Sequence, residues 1–136
     1  MSQELMIKQF DGSNIFFMED GWFNATSAAK HYNKNVIEWL RSDESFGYSV
    51  ALAKSLKLLN HDLEPGLEMI QNCDNQTVRR NLIPKFLEDL ELIRTKRGSP
   101  ENGGGTWFHP KLGVVFARWL SFEFAVWCDS QIELII

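Results

Sequence analysis

Residues 4–23, ELMIKQFDGSNIFFMEDGWF, hold two apolar-rich runs separated by Asp11-Gly12-Ser13-Asn14. Asp-Gly is a turn signal because both residue types tolerate positive φ, so the pattern predicts a hairpin from Leu5–Phe10 and Asn14–Met18. A second turn at Glu19-Asp20-Gly21 delivers the chain to Trp22 and Phe23. Asn24 then precedes a helix-permissive stretch, Ala25–Tyr32, and is placed to act as its N-cap. That helix is expected to stop near Asn33-Lys34. Asn35 can cap a second one, because Glu38 falls three residues later as in a capping box while Val36, Ile37 and Leu40 supply an apolar side. Two short helices joined so tightly predict a helix-turn-helix-like pair. Tyr48, Leu52, Leu56 and Leu59 then recur at helical spacing and predict a third helix ending near Asn60.

Residues 60–84 show no clear period. A turn signal at Glu64-Pro65-Gly66 and a polar stretch from Asn72 to Thr77 read as a loop with short helices, an expanded connection within the domain. An amphipathic segment, Pro84–Leu92, leads into the β-type run Ile93–Arg97; Gly98–Gly105 is glycine-rich, and Thr106–His109 is again β-type. This arrangement predicts a second hairpin, residues 92–109, projecting from the core. After Pro110, a favourable first helical residue, Leu112, Val115, Phe116, Trp119 and Leu120 follow helical spacing, and Ser121 can start a further helix carrying Phe124, Trp127, Cys128 and Ile132. Trp107, Trp119 and Phe124 are expected to be largely buried. The fold class is therefore α+β, one domain over residues 1–136.

With 136 residues, 44% apolar and 12% aromatic, the chain has enough large side chains to build a core. Cys73 and Cys128 stand alone rather than in a CxxC pair, which favours a reducing compartment over a disulfide framework or zinc site. No apolar run is long enough to span a membrane. The net charge of −4 runs against a nucleic-acid partner, since phosphate affinity comes largely from displaced counterions. Distribution matters more than the total, because a local basic strip can steer DNA while another face is acidic.

Catalytic chemistry finds no constellation. His31, His61 and His109 fit no metal-ligand spacing, Gly103–Gly105 lacks the Gly-Lys-Ser/Thr ending of a phosphate loop, and no GxSxG or Cys/His order is present. The expectation is a non-enzymatic chain with no cofactor and no metal.

Three blocks give the chain a family likeness: Asp20-Gly21-Trp22-Phe23-Asn24-Ala25-Thr26 leading into a helix, Glu38-Trp39-Leu40-Arg41 after it, and Gly103-Gly104-Gly105-Thr106-Trp107-Phe108-His109-Pro110 opening the C-terminal helices. In order and context they resemble the KilA-N domain, a DNA-binding module of phages, bacteria and large DNA viruses, from about Phe10 to Ile132. Leu120-Ser121-Phe122-Glu123-Phe124-Ala125 is similar to the family's Leu-Ser-Pro-Glu-Phe-Ala pattern, with Phe122 where Pro is common. The resemblance implies a fold related to the fungal APSES module, with a helix-turn-helix-like pair beside a hairpin wing. It also implies DNA, double-stranded, as the partner of a phage- or viral-type regulator in the cytoplasm of a bacterial host or infected cell.

Given that resemblance, Arg94, Lys96 and Arg97 place three cations within four residues beside a glycine-rich turn, where long side chains can approach phosphates or enter a groove, and Asn102 can add a neutral contact. The plain alternative is a solvated edge strand protected by its charges. Lys30, Lys34 and Arg41, with Asn33 and Asn35, lie on or beside the first helical pair and can position phosphates, or simply keep a helix face soluble. Arg79-Arg80 is a weaker candidate. The five tryptophans read better as core than as base-stacking platforms, and Asn24 and Thr26 as caps. The rival to DNA binding is a protein-interaction module, a regulator or inhibitor of a host or phage protein that kept the fold and lost DNA binding.

Overall fold

The computed structural model describes residues 4–136, and the class is α+β. The strands β1 (Met6–Phe10), β2 (Ser13–Phe17), β3 (Phe23–Asn24), β4 (Ile93–Lys96) and β5 (Gly105–Phe108) form one sheet in the order β1-β2-β3-β5-β4. The helices are α1 (Ala25–His31), α2 (Val36–Leu40), α3 (Asp43–Ser55), α4 (Glu64–Gln71), α5 (Gln76–Asp89), α6 (Pro110–Leu120) and α7 (Phe122–Ile135). Two compact units result: one runs to Val36 and resumes from Arg94 to Ile136, the other is Ile37–Ile93. Among the described residues, no helix is long and apolar enough to cross a membrane.

In the first unit, Asp11 (φ 48°) and Gly12 (φ 83°) are the two central residues of the turn that pairs Phe10 with Ser13. Two successive positive φ values are what a type I′ hairpin turn requires, so the Asp-Gly signal is borne out. The sheet then sorts three consecutive aromatic pairs by the two-residue period of a strand. Phe16, Trp22 and Trp107 cluster on one side, joined by Leu5 and Met18. Their neighbours Phe17, Phe23 and Phe108 meet on the other, where Phe116 of α6 and Phe124 of α7 pack 6.1 Å and 6.4 Å from the Phe23 ring. Helix α6 comes close there because Gly113 has no side chain; a Cβ at that position would stand 2.6 Å from Phe23.

The second hairpin is present, with strand rather than helix at 93–96. It does not stand free of the core. β5 pairs with β3 through Phe23↔Phe108 and Asn24↔Trp107, which makes the hairpin the outer part of the five-stranded sheet. A 3-10 turn, Pro100–Asn102, forms its tip. Trp107 and Phe124 are buried as expected, whereas Trp119 is only partly so.

The second unit departs further from the sequence reading. α3 is capped by Ser42, whose Oγ accepts from the Ser45 N–H at 3.1 Å, and it ends at Ser55 rather than near Asn60. Its buried side carries Phe46, Val50, Leu52 and Ala53, and Tyr48 faces solvent. At 60–84, read as a loop with short helices, stand α4, a helix of eight residues, and most of α5, a longer one of fourteen. Asn75 caps α5 by accepting from the Val78 N–H at 3.0 Å, and the helix runs straight through Pro84. An internal proline costs about 3 kcal/mol in helix hydrogen bonding, and burial of Ile83, Phe86 and Leu87 on the same helix offsets it. Arg79 donates to Asp43 at 2.6 Å and lies over the Phe46 ring, tying α5 to α3 and holding the Asp43 carboxyl below its usual range.

Three helices, α1, α3 and α5, end in the same way. Asn33, Lys57 and Glu91 each adopt a left-handed φ of 55°, 58° and 61°. The residue after each donates back to the carbonyl of Ala29, Ala53 or Leu87, closing a Schellman motif without glycine.

Candidate nucleic-acid interface

The wing is held in place by the start of α1. Asn24, fully buried, accepts from the Ser27 N–H at 2.9 Å with its Oδ1 and donates through Nδ2 to the Gly104 carbonyl at 2.7 Å. Thr26 Oγ1 accepts from the Thr106 N–H at 2.9 Å. Thus the residue that caps the helix and the Thr26 of its first turn together anchor the glycine run. The glycines are needed for close approach: a Cβ on Gly104 would stand 2.1 Å from the Gly98 carbonyl oxygen, and one on Gly105 (φ 99°) would stand 2.9 Å from Thr26 Oγ1.

On this anchored frame β4 is an edge strand whose Arg94, Thr95 and Lys96 are exposed, followed by exposed Arg97. Arg94 and Lys96, two apart, share a face. The Arg94 guanidinium lies 3.9 Å from the centroid of the Trp22 indole, a cation–π stack. Trp22, Trp107, Met18, Arg94, Lys96 and Gly103 line a cavity of about 290 Å³ on that side of the sheet. Trp107 Nε1 is satisfied inside the hairpin by the Gly103 carbonyl at 2.9 Å. Asn102, at the tip, donates to Ser99 Oγ at 3.1 Å and braces the turn.

Lys30 projects from α1 into a second cleft of about 490 Å³, shared with Ser13, Asn14, His31 and the tip residue Glu101. His31 Nδ1 lies 2.5 Å from Ser13 Oγ, and its Nε2 lies 3.5 Å from an Asp11 carboxylate oxygen. The next two candidates have structural employment. Asn33 is the left-handed residue that ends α1, and Lys34 Nζ donates at 3.2 Å to the Trp119 carbonyl while lying over the Trp119 ring, which caps the C-terminus of α6. Arg41 is exposed just beyond α2 and belongs to the Ile37–Ile93 unit. The structure therefore gathers Arg94 and Lys96 around one cavity, with Arg97 next along the chain. Sequence reading missed Trp22 as their partner, since a stack between residues 72 positions apart leaves no local signal.

Charge is unevenly shared. The unit bearing the wing has eight Lys and Arg against eight Asp and Glu; Ile37–Ile93 has six against ten, so the whole excess of −4 falls there. The basic strand accordingly belongs to a neutral unit. Two groups in that unit are shifted by burial: His109 is held below its ordinary value, with Lys111 and Arg94 adding to the effect, and the Cys128 thiol is pushed up to about 12.

The sheet thus carries a row of exposed cations along its β4 edge, beside the capped start of α1. The chain belongs to the KilA-N domain family, a family of DNA-binding modules, whose match covers residues 8–136. No curated protein and no solved structure matches the chain at a significant level.

Proposed function

We propose that this chain is the DNA-binding domain of a phage- or viral-type regulatory protein acting in the cytoplasm of a bacterial host or infected cell. It is a binding module without catalysis. The observation that carries the reading is the exposed cationic run of Arg94 and Lys96 on β4 and Arg97 just after it, at the sheet edge of a chain of this family. These side chains hold the phosphate backbone of duplex DNA, helped by Asn102 at the tip. Lys30, Asn33, Lys34 and Arg41 are the candidates for further contact from the first helical pair. Neutrality of the wing-bearing unit removes the main electrostatic objection, because the acidic excess lies elsewhere in the chain.

Fluorescence anisotropy of labelled duplex and single-stranded DNA at two salt concentrations tests this. Binding should weaken with salt, log K falling linearly with log salt by about 0.9 for each phosphate contact on duplex. A second reading is favoured by the acidic Ile37–Ile93 unit, which exposes Met69 and Val78: a module that binds a host or phage protein and has lost DNA. Failure to bind either DNA at low salt would select it.

A further inference from the structure

On the Trp22 side of the sheet the rings of Trp22 and Trp107 lie largely buried, the His109 ring meets Trp22 edge-on at 5.6 Å, and the group stacked on Trp22 is a charged side chain, Arg94. A planar guanidinium 3.9 Å from an indole occupies the position that a flat aromatic ligand would take. Around it the cavity of about 290 Å³ is close to the lower end of small-ligand pockets, roughly 300 Å³. Its walls are apolar on one side, from Met18, Trp22 and Trp107, and cationic on the other, from Arg94 and Lys96. Lys96 reaches inward, with Nζ 3.9 Å from the place a Cβ on Gly103 would occupy.

An apolar, aromatic floor with two cations beside it matches one kind of ligand: a flat ring joined to an anion. We infer that this cavity receives a single unpaired nucleobase, Arg94 shifting to admit it between Met18 and the two indoles while Arg94 and Lys96 hold the adjoining phosphate. The inference rests on the DNA-binding reading and adds to it a preference for DNA with an extrahelical base. Since Trp107 Nε1 is already bonded to Gly103, the floor offers stacking more than hydrogen-bond readout, so recognition should tolerate any base and favour purines for their larger ring.

Three labelled DNAs test it: a perfect duplex, the same duplex with a one-base bulge, and that bulge carrying 2-aminopurine. The bulged duplex should bind about tenfold tighter than the perfect one, within the range that stacking one base on an aromatic platform supplies. The 2-aminopurine emission should fall on binding as the base stacks on an indole. Met18→Trp, which fills the cavity from its partly buried rim, should bring the two affinities together. Equal binding of perfect and bulged duplex by the parent, or an unquenched 2-aminopurine in the complex, would overturn the pocket while leaving duplex binding intact. Absence of binding to all three would instead overturn the DNA reading on which the pocket depends. Should Met18→Trp not fold, the parent's affinity ratio and quenching still decide.

Discussion

Asn24 and Gly104 are joined by a 2.7 Å hydrogen bond in which the buried Asn24 amide donates to the Gly104 carbonyl. One side chain thereby begins α1 and fixes the wing, 80 residues later in the chain. Helix start and hairpin tip are consequently coupled.

Asn24→Asp separates the two tasks. Aspartate keeps the capping oxygen and loses the donor, leaving the buried Gly104 carbonyl facing a carboxylate oxygen; a loss of about 1–3 kcal/mol is expected from the unsatisfied group. Asn24→Ala removes the cap as well and should cost about 1 kcal/mol more. Urea melts read both values, and an Asp variant as stable as the parent would show that the clamp contributes nothing.

The wing cations make a separate prediction. Replacing Lys96 and Arg97 together by Ala should weaken binding to many DNA sequences almost equally, because phosphate contacts position without identifying bases. If each meets one phosphate, the plot of log K against log salt becomes shallower by up to roughly 1.8. Both residues are exposed, so the melting temperature should hardly change. An unaltered slope with an intact fold would leave edge protection as their role.

Left-handed helix ends provide a stability test in the other unit. Lys57 and Glu91 adopt φ values of 58° and 61°, a region that costs an L-residue with a Cβ roughly 1–2 kcal/mol. Glu91→Gly and Lys57→Gly should therefore each stabilise the protein, by about 0.5–1 kcal/mol after the greater entropy of glycine in the unfolded chain is counted. Glu91→Val should destabilise it. Thermal melts of the three variants distinguish these signs.

His109 links stability to pH. Its Nδ1 accepts from the Lys111 N–H at 3.1 Å to start α6, which requires the unprotonated nitrogen. Burial, then Lys111 and Arg94, hold its pKa below the ordinary 6.5, against a smaller opposing pull from Asp20. The unfolded chain thus takes up the proton first, so this contribution is fully present above pH 6.5 and is lost as pH falls through the depressed native value. His109→Asn retains a capping oxygen without the titration. Its stability should fall less steeply below pH 6.5 than that of the parent; matching slopes would exclude His109 as the source.

The two thiols should differ in reactivity. Burial pushes Cys128 up to about 12, so almost none of it is thiolate at neutral pH, whereas Cys73 is partly exposed. A disulfide reagent should label one thiol in the native protein and both after denaturation. With a native value above the ordinary 9.0, Cys128 also favours the folded state below that pH and loses its contribution as pH rises from 9.0 through about 12. Rapid labelling of both native thiols would contradict the burial.

Much of the first unit was legible because its signals are local. Asp11-Gly12 favours a I′ turn by tolerating positive φ at both positions, Asn24 caps through a neighbour three residues away, and Pro110 starts α6 by its fixed φ. In the second unit the signals misled at the helix ends. Nothing local marks Lys57 as a left-handed terminator, so the apolar spacing was carried past Ser55, and Pro84 suggested a boundary where α5 continues.

By itself, then, the sequence determined the α+β class, the two hairpins, the Asn24 and Ser121 caps, the family and the presence of a cationic run at 94–97, all of which depend on contacts within a few residues or on motifs in order. Only tertiary structure decided what those cations face. Whether Arg94 meets solvent or the ring of Trp22, and whether Lys34 is free or caps α6, depends on pairing of β3 with β5 and on packing between segments 72 and 85 residues apart. Such contacts arise from sheet order and burial of the aromatic pairs, and periodicity along one segment carries no record of them.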